Sequence, residues 1–283
     1  MKIIDTTLFW NEFDILELRL AQHYDYVDKI VIVECDRTYS GLYKGFTLET
    51  QLNRYTKWWD KVQHIKVSNS PTYSNPWDNE HWQRDHMMIG WQDVGKDDVI
   101  LLSDLDEIVR PEAFEYIRNT NYDLYGLFMP AFYFKFNYVD AKPDWHYKVW
   151  GRAFRGGPYI AGHRMRYTND IPGRSRIALH HAGWHFGWMG DENFAKYKVK
   201  SFSHNEYNQP HVIENFNIEK HISDGTDHIR PHNVTWHTVN LDEYFPKIIL
   251  DNKEKYANLI LPDSGKTVQD YWPGGIIEPT EWK

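Results

Sequence analysis

Cysteine is almost missing from the chain. Cys35 is the only one in 283 residues, which excludes an internal disulfide and a zinc site built from thiolates. Basic charge has no excess either: 32 Lys and Arg stand against 40 Asp and Glu, a formal net charge of −8. No basic run could neutralise a stretch of phosphates, so nucleic acid is not an expected partner. Long apolar runs are also absent. Nothing approaches the roughly 18 to 20 apolar residues of a membrane-spanning helix, and the opening Met1-Lys2-Ile3-Ile4-Asp5 puts an acid where a secretory leader needs an apolar core. These absences lead us to expect a soluble, cytoplasmic protein in a reducing compartment.

Aromatic residues and histidine are abundant: 13 Trp, 19 Tyr and 14 Phe make 16% of the chain, beside 15 His. Most of these rings are expected to fill the core. A flat apolar face with a polar tip also suits a sugar ring, whose C–H face stacks while its hydroxyls hydrogen-bond.

The length fits one α/β domain over residues 1–283, with a nucleotide-binding half at 1–110 and an acceptor-side half and C-terminal wrap at 111–283. In the first half strand and helix patterns alternate. Lys2–Phe9 reads as a strand and Glu12–Tyr24 as a helix capped by Asn11. Asp28–Glu34 is a doubly buried strand; a loop with Gly41 and Gly45 follows, then a helix over Leu48–Trp59 and a strand over Val62–Val67. Asn79–Val94 is expected to be helical, and Asp98–Ser103 is an apolar strand that stops at acid. Such alternation predicts an α/β fold, a central, mostly parallel sheet flanked by helices, with ligands at the carboxyl ends of the strands. Beyond Pro111 strand-like aromatic segments dominate: Tyr122–Met129, Phe132–Tyr138, Trp145–Phe154 and one ending at His181. A helix over Asp191–Phe202 and a proline-punctuated remainder complete the chain.

The chemistry concentrates at Ser103-Asp104-Leu105-Asp106-Glu107. Adjacent carboxylates repel one another unless a cation neutralises them, and hard divalent ions such as Mn²⁺ or Mg²⁺ take oxygen ligands while leaving positions for phosphate. Asp104 and Asp106 at a strand's end therefore read as a metal–diphosphate site; the bland alternative is a solvated turn capping the helix near Pro111. The segment His180 to Trp188 packs three histidines and two tryptophans together. One of the three imidazoles, His180, His181 or His185, can complete a metal shell, and Trp184 or Trp188 can stack on a sugar. Asp191 and Glu192 stand at a helix start, where one can act as general base toward an acceptor hydroxyl or merely cap the helix. Arg84, beside Asp85, can bind a diphosphate or hold Asp104 in place. Glu34, ending a buried strand, points to the ligand crevice, and Lys44 can add positive charge near a phosphate.

These residues resemble glycosyltransferase family 17. The resemblance runs through Asp5–Leu20, Val31–Glu34 with Thr38 and Gly41, Gln83-Arg84-Asp85, Leu102–Ile108, Ala182-Gly183-Trp184-His185 and Ser201–His204. It implies a GT-A type nucleotide-sugar-binding fold, a UDP-sugar donor (UDP-GlcNAc in the animal members), a divalent metal, inversion at the anomeric carbon and a glycan or glycoconjugate acceptor. Within the Ala-Gly-Trp-His match, His185 is the expected metal or phosphate contact. Two other readings of the residues are a metal-dependent sugar-nucleotide hydrolase and a non-catalytic carbohydrate-binding protein.

Overall fold

Strand β1 (Ile3–Phe9) is buried at all seven positions, because both faces of the sheet are covered. Its alternation decides which core each residue joins. Ile3 and Phe9 pack toward helix α1 (Phe13–His23), while Ile4 and Leu8 pack toward Met87 and Trp91 on the other face. Strands β2 (Lys29–Cys35) and β4 (Val99–Leu102) repeat the pattern, with Ile32 and Leu101 on the α1 side and Val33 and Leu102 on the other, whereas β3 (Val62–Val67), at the sheet's edge, is mostly half-buried. The computed structural model describes residues 1–141, 149–157, 159–228 and 236–282.

These strands are edge-joined in parallel in the order β4-β1-β2-β3. The sheet then grows from the second half of the chain. Strand β5 (Glu107–Val109) leaves it, while β6 (Leu124–Phe128), β9 (Val149–Arg155), β10 (Arg176–His180) and β13 (Glu278–Thr280) complete an eight-stranded order β13-β10-β6-β9-β4-β1-β2-β3. Only β9 and β13 run against the rest. A second sheet joins β12 (Trp236–Thr238), β8 (Tyr138–Asp140), β7 (Ala131–Tyr133), β11 (Gly183–Gly187) and β5. Strands from both sides of residue 110 thus share both sheets, and helices flank the larger one.

The expected β1 to β4 are found with ends shifted by at most one residue, and Val62–Val67 is unshifted. Several helices differ. Helix α1 begins at Phe13 with Glu12 at the N-cap position and no side-chain cap, so Asn11 does not cap it. Leu48–Trp59 forms two 3₁₀ segments, Leu48–Arg54 and Thr56–Lys61, interrupted at Gln51. The helix expected over Asn79–Val94 starts earlier, as α2 (Pro76–Asp85), because Asn75 accepts from Trp77 N and Pro76 takes the first turn. It then tightens to 3₁₀ over His86–Trp91. A further helix, α3 (Pro111–Asn119), follows β5, and the strand expected over Phe132–Tyr138 is split where Phe134 turns to φ 64°. Residues 145–148 of the expected Trp145–Phe154 strand lie outside the described residues.

Helices α4 (Gly162–Tyr167) and α5 (Glu192–Ser201) flank the carboxyl ends of the strands. At Gly183 the β5 backbone lies so close that a Cβ would collide with the Ile108 carbonyl. That contact explains the glycine of Ala-Gly-Trp-His, since it lets β11 pair with β5.

Candidate functional site

The acidic turn is held from beneath by a buried arginine. Arg19 of α1 binds the Asp5 carboxylate at 2.5 and 3.0 Å, and extends to Ser103 Oγ at 2.8 Å. Its NH1 donates to the backbone carbonyls of Asp104 (2.7 Å), Glu107 (3.2 Å) and Leu105 (3.4 Å). His23 donates from Nδ1 to Asp5, because its Nε2 accepts from Val109 N at 2.9 Å. Burial pushes the Asp5 carboxyl up, but the Arg19 and His23 contacts outweigh it and hold the group well below the carboxylate range. The shape of the turn is therefore set by Asp5, Arg19 and His23, all fully buried.

Above this support a cleft of about 330 Å³ opens at the carboxyl ends of β1 and β4. Asp104 accepts from Arg84 NH1 at 2.7 Å and from Arg166 NH2 at 3.2 Å. Burial opposes its ionisation, but the Arg84 and then the Arg166 charges win, and the carboxyl is held well below its usual range. Arg166 also grips Glu107 and the Trp150 carbonyl. Glu107, which accepts from Asp104 N at 2.7 Å, is pushed up to about 7 by burial. Asp106 lies 3.4 Å from Lys198 Nζ and 3.7 Å from His185 Nε2. Against burial these two partners depress its carboxyl. Lys198 also pairs with Glu12 at 2.7 Å, while burial raises the Glu12 carboxyl, helped by the negative charges of Asp106 and Asp104 and opposed by Lys198.

The three carboxylates of the turn thus stand together because Arg84, Arg166 and Lys198 neutralise them, without a metal being required for that purpose. Glu12, Glu80, Asp104 and Asp106 line the cleft against Lys44, Arg84, Arg166 and Lys198, a balance of four charges of each sign. A diphosphate entering this balanced cleft brings negative charge for which the described lining residues hold no spare cation. Among the described residues no group of three His, Cys, Asp or Glu is placed to hold a metal. Asp106 and His185 fit as a two-residue donor set, since a hard divalent ion commonly takes one or two protein ligands and fills the rest from phosphate oxygens and water. Among the described residues His185 Nδ1 is buried without a hydrogen-bond partner, which leaves the ring orientation to its packing on Trp150 at 4.1 Å and against Tyr133 at 5.8 Å.

The other expected site residues are placed as follows. Of the two roles open to Arg84, the structure shows it holding Asp104, with Glu80 as its second partner. Lys44 lines the cleft but is paired with Glu34 at 3.1 Å. Glu34 does not face the cleft. It accepts from Thr47 N at 2.6 Å, from Leu48 N and from His64, and so pins the loop that follows β2. Asp85 binds His163 through N and Nδ1 and ties α2 to α4. Trp184 is buried in the core behind β11, because strand alternation sends it away from the side that His185 faces. Trp188 is likewise buried, and His180 bonds Thr280 at the far side of the large sheet.

Asp191 caps α5 by accepting from Phe194 N at 2.7 Å, and Glu192 pairs with Lys196; neither lines the cleft. Asp191→Ala is expected to cost about 1 kcal/mol of stability while leaving turnover within about threefold, a change far smaller than loss of a general base causes. Thermal unfolding and steady-state rates on the purified variant check both halves.

Sequence reasoning missed Arg166, Lys198, Glu12 and the cleft aromatics Trp10, Trp77 and Trp150. Trp10 follows β1 directly, so the rule that placed the acidic turn applies to it as well. Lys198 sits on the α5 face that carries Ala195 and Val199, both buried, an unusual place for a solvated lysine. The short helix carrying Arg166 has no comparable pattern.

A family model for glycosyltransferase family 17 matches residues 1–265 of the chain. Among solved structures the chain is similar to the crystal structure of S. aureus TarS 1-349, at 12% identity and TM-score 0.38, over 79% of this chain and 72% of that one. No curated protein matches it.

Proposed function

The chain belongs to glycosyltransferase family 17, and from that premise we propose that its cleft binds a UDP-sugar, most simply UDP-GlcNAc, and passes the sugar with inversion to a glycan hydroxyl. The observation that carries this reading is the Asp106–His185 pair, 3.7 Å apart and beside the balanced charges of Arg84, Arg166 and Lys198. A divalent ion, Mn²⁺ or Mg²⁺, bound at Asp106 and His185 would offset the charge developing on the leaving diphosphate. Asp104, expected at first as a metal ligand, has both oxygens on guanidinium groups and holds Arg84 and Arg166 toward the cleft. Trp10, Trp77 and Trp150 supply aromatic surface for the sugars.

The proposed general base is Glu12. It lines the cleft, and its only hydrogen-bonded partner among the described residues is Lys198, whereas Glu80 is committed to Arg84 and Ser203. Deprotonation of an acceptor hydroxyl needs the carboxylate form, and its pKa is raised. The rate is therefore expected to fall as pH drops through a value above the ordinary glutamate range. Glu12→Gln is expected to lower kcat by about 10²- to 10⁴-fold and to remove that acid limb. A pH–rate profile of the variant that keeps the limb would assign the base elsewhere.

The reaction is tested by measuring UDP release from UDP-GlcNAc with Mn²⁺ or EDTA, with and without a panel of oligosaccharide acceptors. Metal- and acceptor-dependent release with a new glycoside is expected. Free GlcNAc formed at the same rate without acceptor would identify a hydrolase instead.

A further inference from the structure

On the other side of β11 lies a second pocket, of about 410 Å³, between the end of α1, the start of α3 and the segment from Glu243 to Lys247. It shares no lining residue with the cleft. Arg110, at the N-cap position of α3, lines it while being only 2% exposed.

The buried arginines of the described residues are otherwise well supplied with acceptors. Arg19, Arg84 and Arg166 each meet carboxylates. Arg155 donates to four carbonyls, those of Tyr122, Asp97, Ile117 and Thr120. Arg152 reaches Thr168 O, Val149 O and the Asn169 side chain. Arg110 differs. Among the described residues the one hydrogen bond of its side chain is a 3.4 Å contact to the Tyr244 carbonyl, Nε is buried with no partner, and no carboxylate forms an ion pair with it.

Its guanidinium instead lies 4.7 Å from the Trp184 ring and 4.7 Å from the Tyr244 ring. The two rings, at 84° to each other, flank the group on two sides, and its Nε–H, which neither ring satisfies, is left for another ligand. The Trp184 indole N–H is also buried without a partner. The start of α3 adds the positive end of a helix dipole, and no side chain caps it.

We propose that this pocket binds a singly charged oxyanion, a carboxylate or a phosphodiester, through the guanidinium of Arg110. A single charge is favoured because three acids, Asp25, Glu112 and Glu243, line the pocket against two bases, Arg110 and Lys247, so a second negative charge meets net repulsion. The inference does not depend on what the cleft transfers.

Thermal unfolding of the full chain at constant ionic strength tests it, with glucuronate, dimethyl phosphate and sulfate as probes. Glucuronate or dimethyl phosphate is expected to raise the midpoint by about 3 °C at ten times its Kd, with sulfate less effective, and Arg110→Met to abolish the rise. Which of the two monoanions acts identifies the source of the oxyanion. No rise with either, or a rise retained in a folded Arg110→Met protein, overturns the proposal. If that variant does not fold, crystals of the wild-type protein soaked in dimethylarsinate give the answer from the arsenic anomalous signal. A peak at the Arg110 guanidinium supports the site; its absence there overturns it.

Discussion

Asp106→Ala is expected to reduce sugar transfer by about 10³-fold or more while the protein stays folded. Asp106 contributes little to the packing that supports the turn, because Arg19 holds that turn through the backbone carbonyls of Asp104, Leu105 and Glu107. Its carboxylate instead points into the cleft, within 3.7 Å of His185 and 3.4 Å of Lys198. Removing it takes away the proposed metal ligand and leaves Lys198 with Glu12 alone. Because metal and donor bind together, the loss weakens donor binding and, further, the stabilisation of charge developing on the diphosphate in the transition state. Steady-state kinetics should therefore show the fall in kcat, with circular dichroism unchanged. A folded variant with near-normal turnover would remove Asp106 from the chemistry.

Arg19→Met should produce the largest loss of stability. Methionine fills similar volume but leaves Asp5 charged, fully buried and without its guanidinium. It also removes the donor that Arg19 supplies to three carbonyls of the acidic turn and to Ser103 Oγ. Breaking a buried pair by removing one partner costs about 3–5 kcal/mol, which corresponds to a fall in Tm of roughly 10 °C for a chain of this size. The pH dependence has a defined sign. In the wild-type protein the Asp5 pKa is depressed, so the pair's contribution is complete above the unfolded value of about 3.9 and is lost as pH falls toward the folded value. In the variant the Asp5 carboxyl has lost the charge that kept it low, so its protonation as pH falls relieves the penalty. The gap in Tm between the two proteins should accordingly narrow as pH drops toward 4 and below. A gap that is independent of pH would mean that Arg19 acts only by packing.

The parts of this architecture that were legible in the sequence are those where one local rule acts without competition. β2 and β4 are short apolar runs buried on both faces, and no helix of useful length could be drawn through them. The acidic turn was legible for the same reason, since an apolar strand that stops at three acids places them at the carboxyl end of the sheet. Where two rules competed, the bland one often won. Asp191 stands at a helix start and does what an aspartate there ordinarily does, accepting from Phe194 N. The Ala-Gly-Trp-His segment offers both Trp184 and His185 as site residues. Once Gly183–Gly187 is seen as a strand, alternation allows only one of them to point toward Asp106, and that one is His185, behind the cleft lining. Glu34 illustrates a different limit: its position at the end of β2 was read correctly, but the loop folds back over it and consumes its acceptors. Arg166 could not have been found, because its contacts to Asp104 and Glu107 cross 62 and 59 residues of chain from a six-residue helix.

The charge balance of the cleft is what makes donor binding and metal binding one event in this account. The most direct test is thermal unfolding of the wild-type protein with UDP and UDP-GlcNAc, each in Mn²⁺ and in EDTA, because a ligand that binds only the folded state raises its midpoint. A rise with UDP that requires Mn²⁺, a further response to the sugar nucleotide, and loss of both in Asp106→Ala are expected. A rise of equal size in EDTA, or no rise with any nucleotide, would contradict the coupling of metal and donor binding.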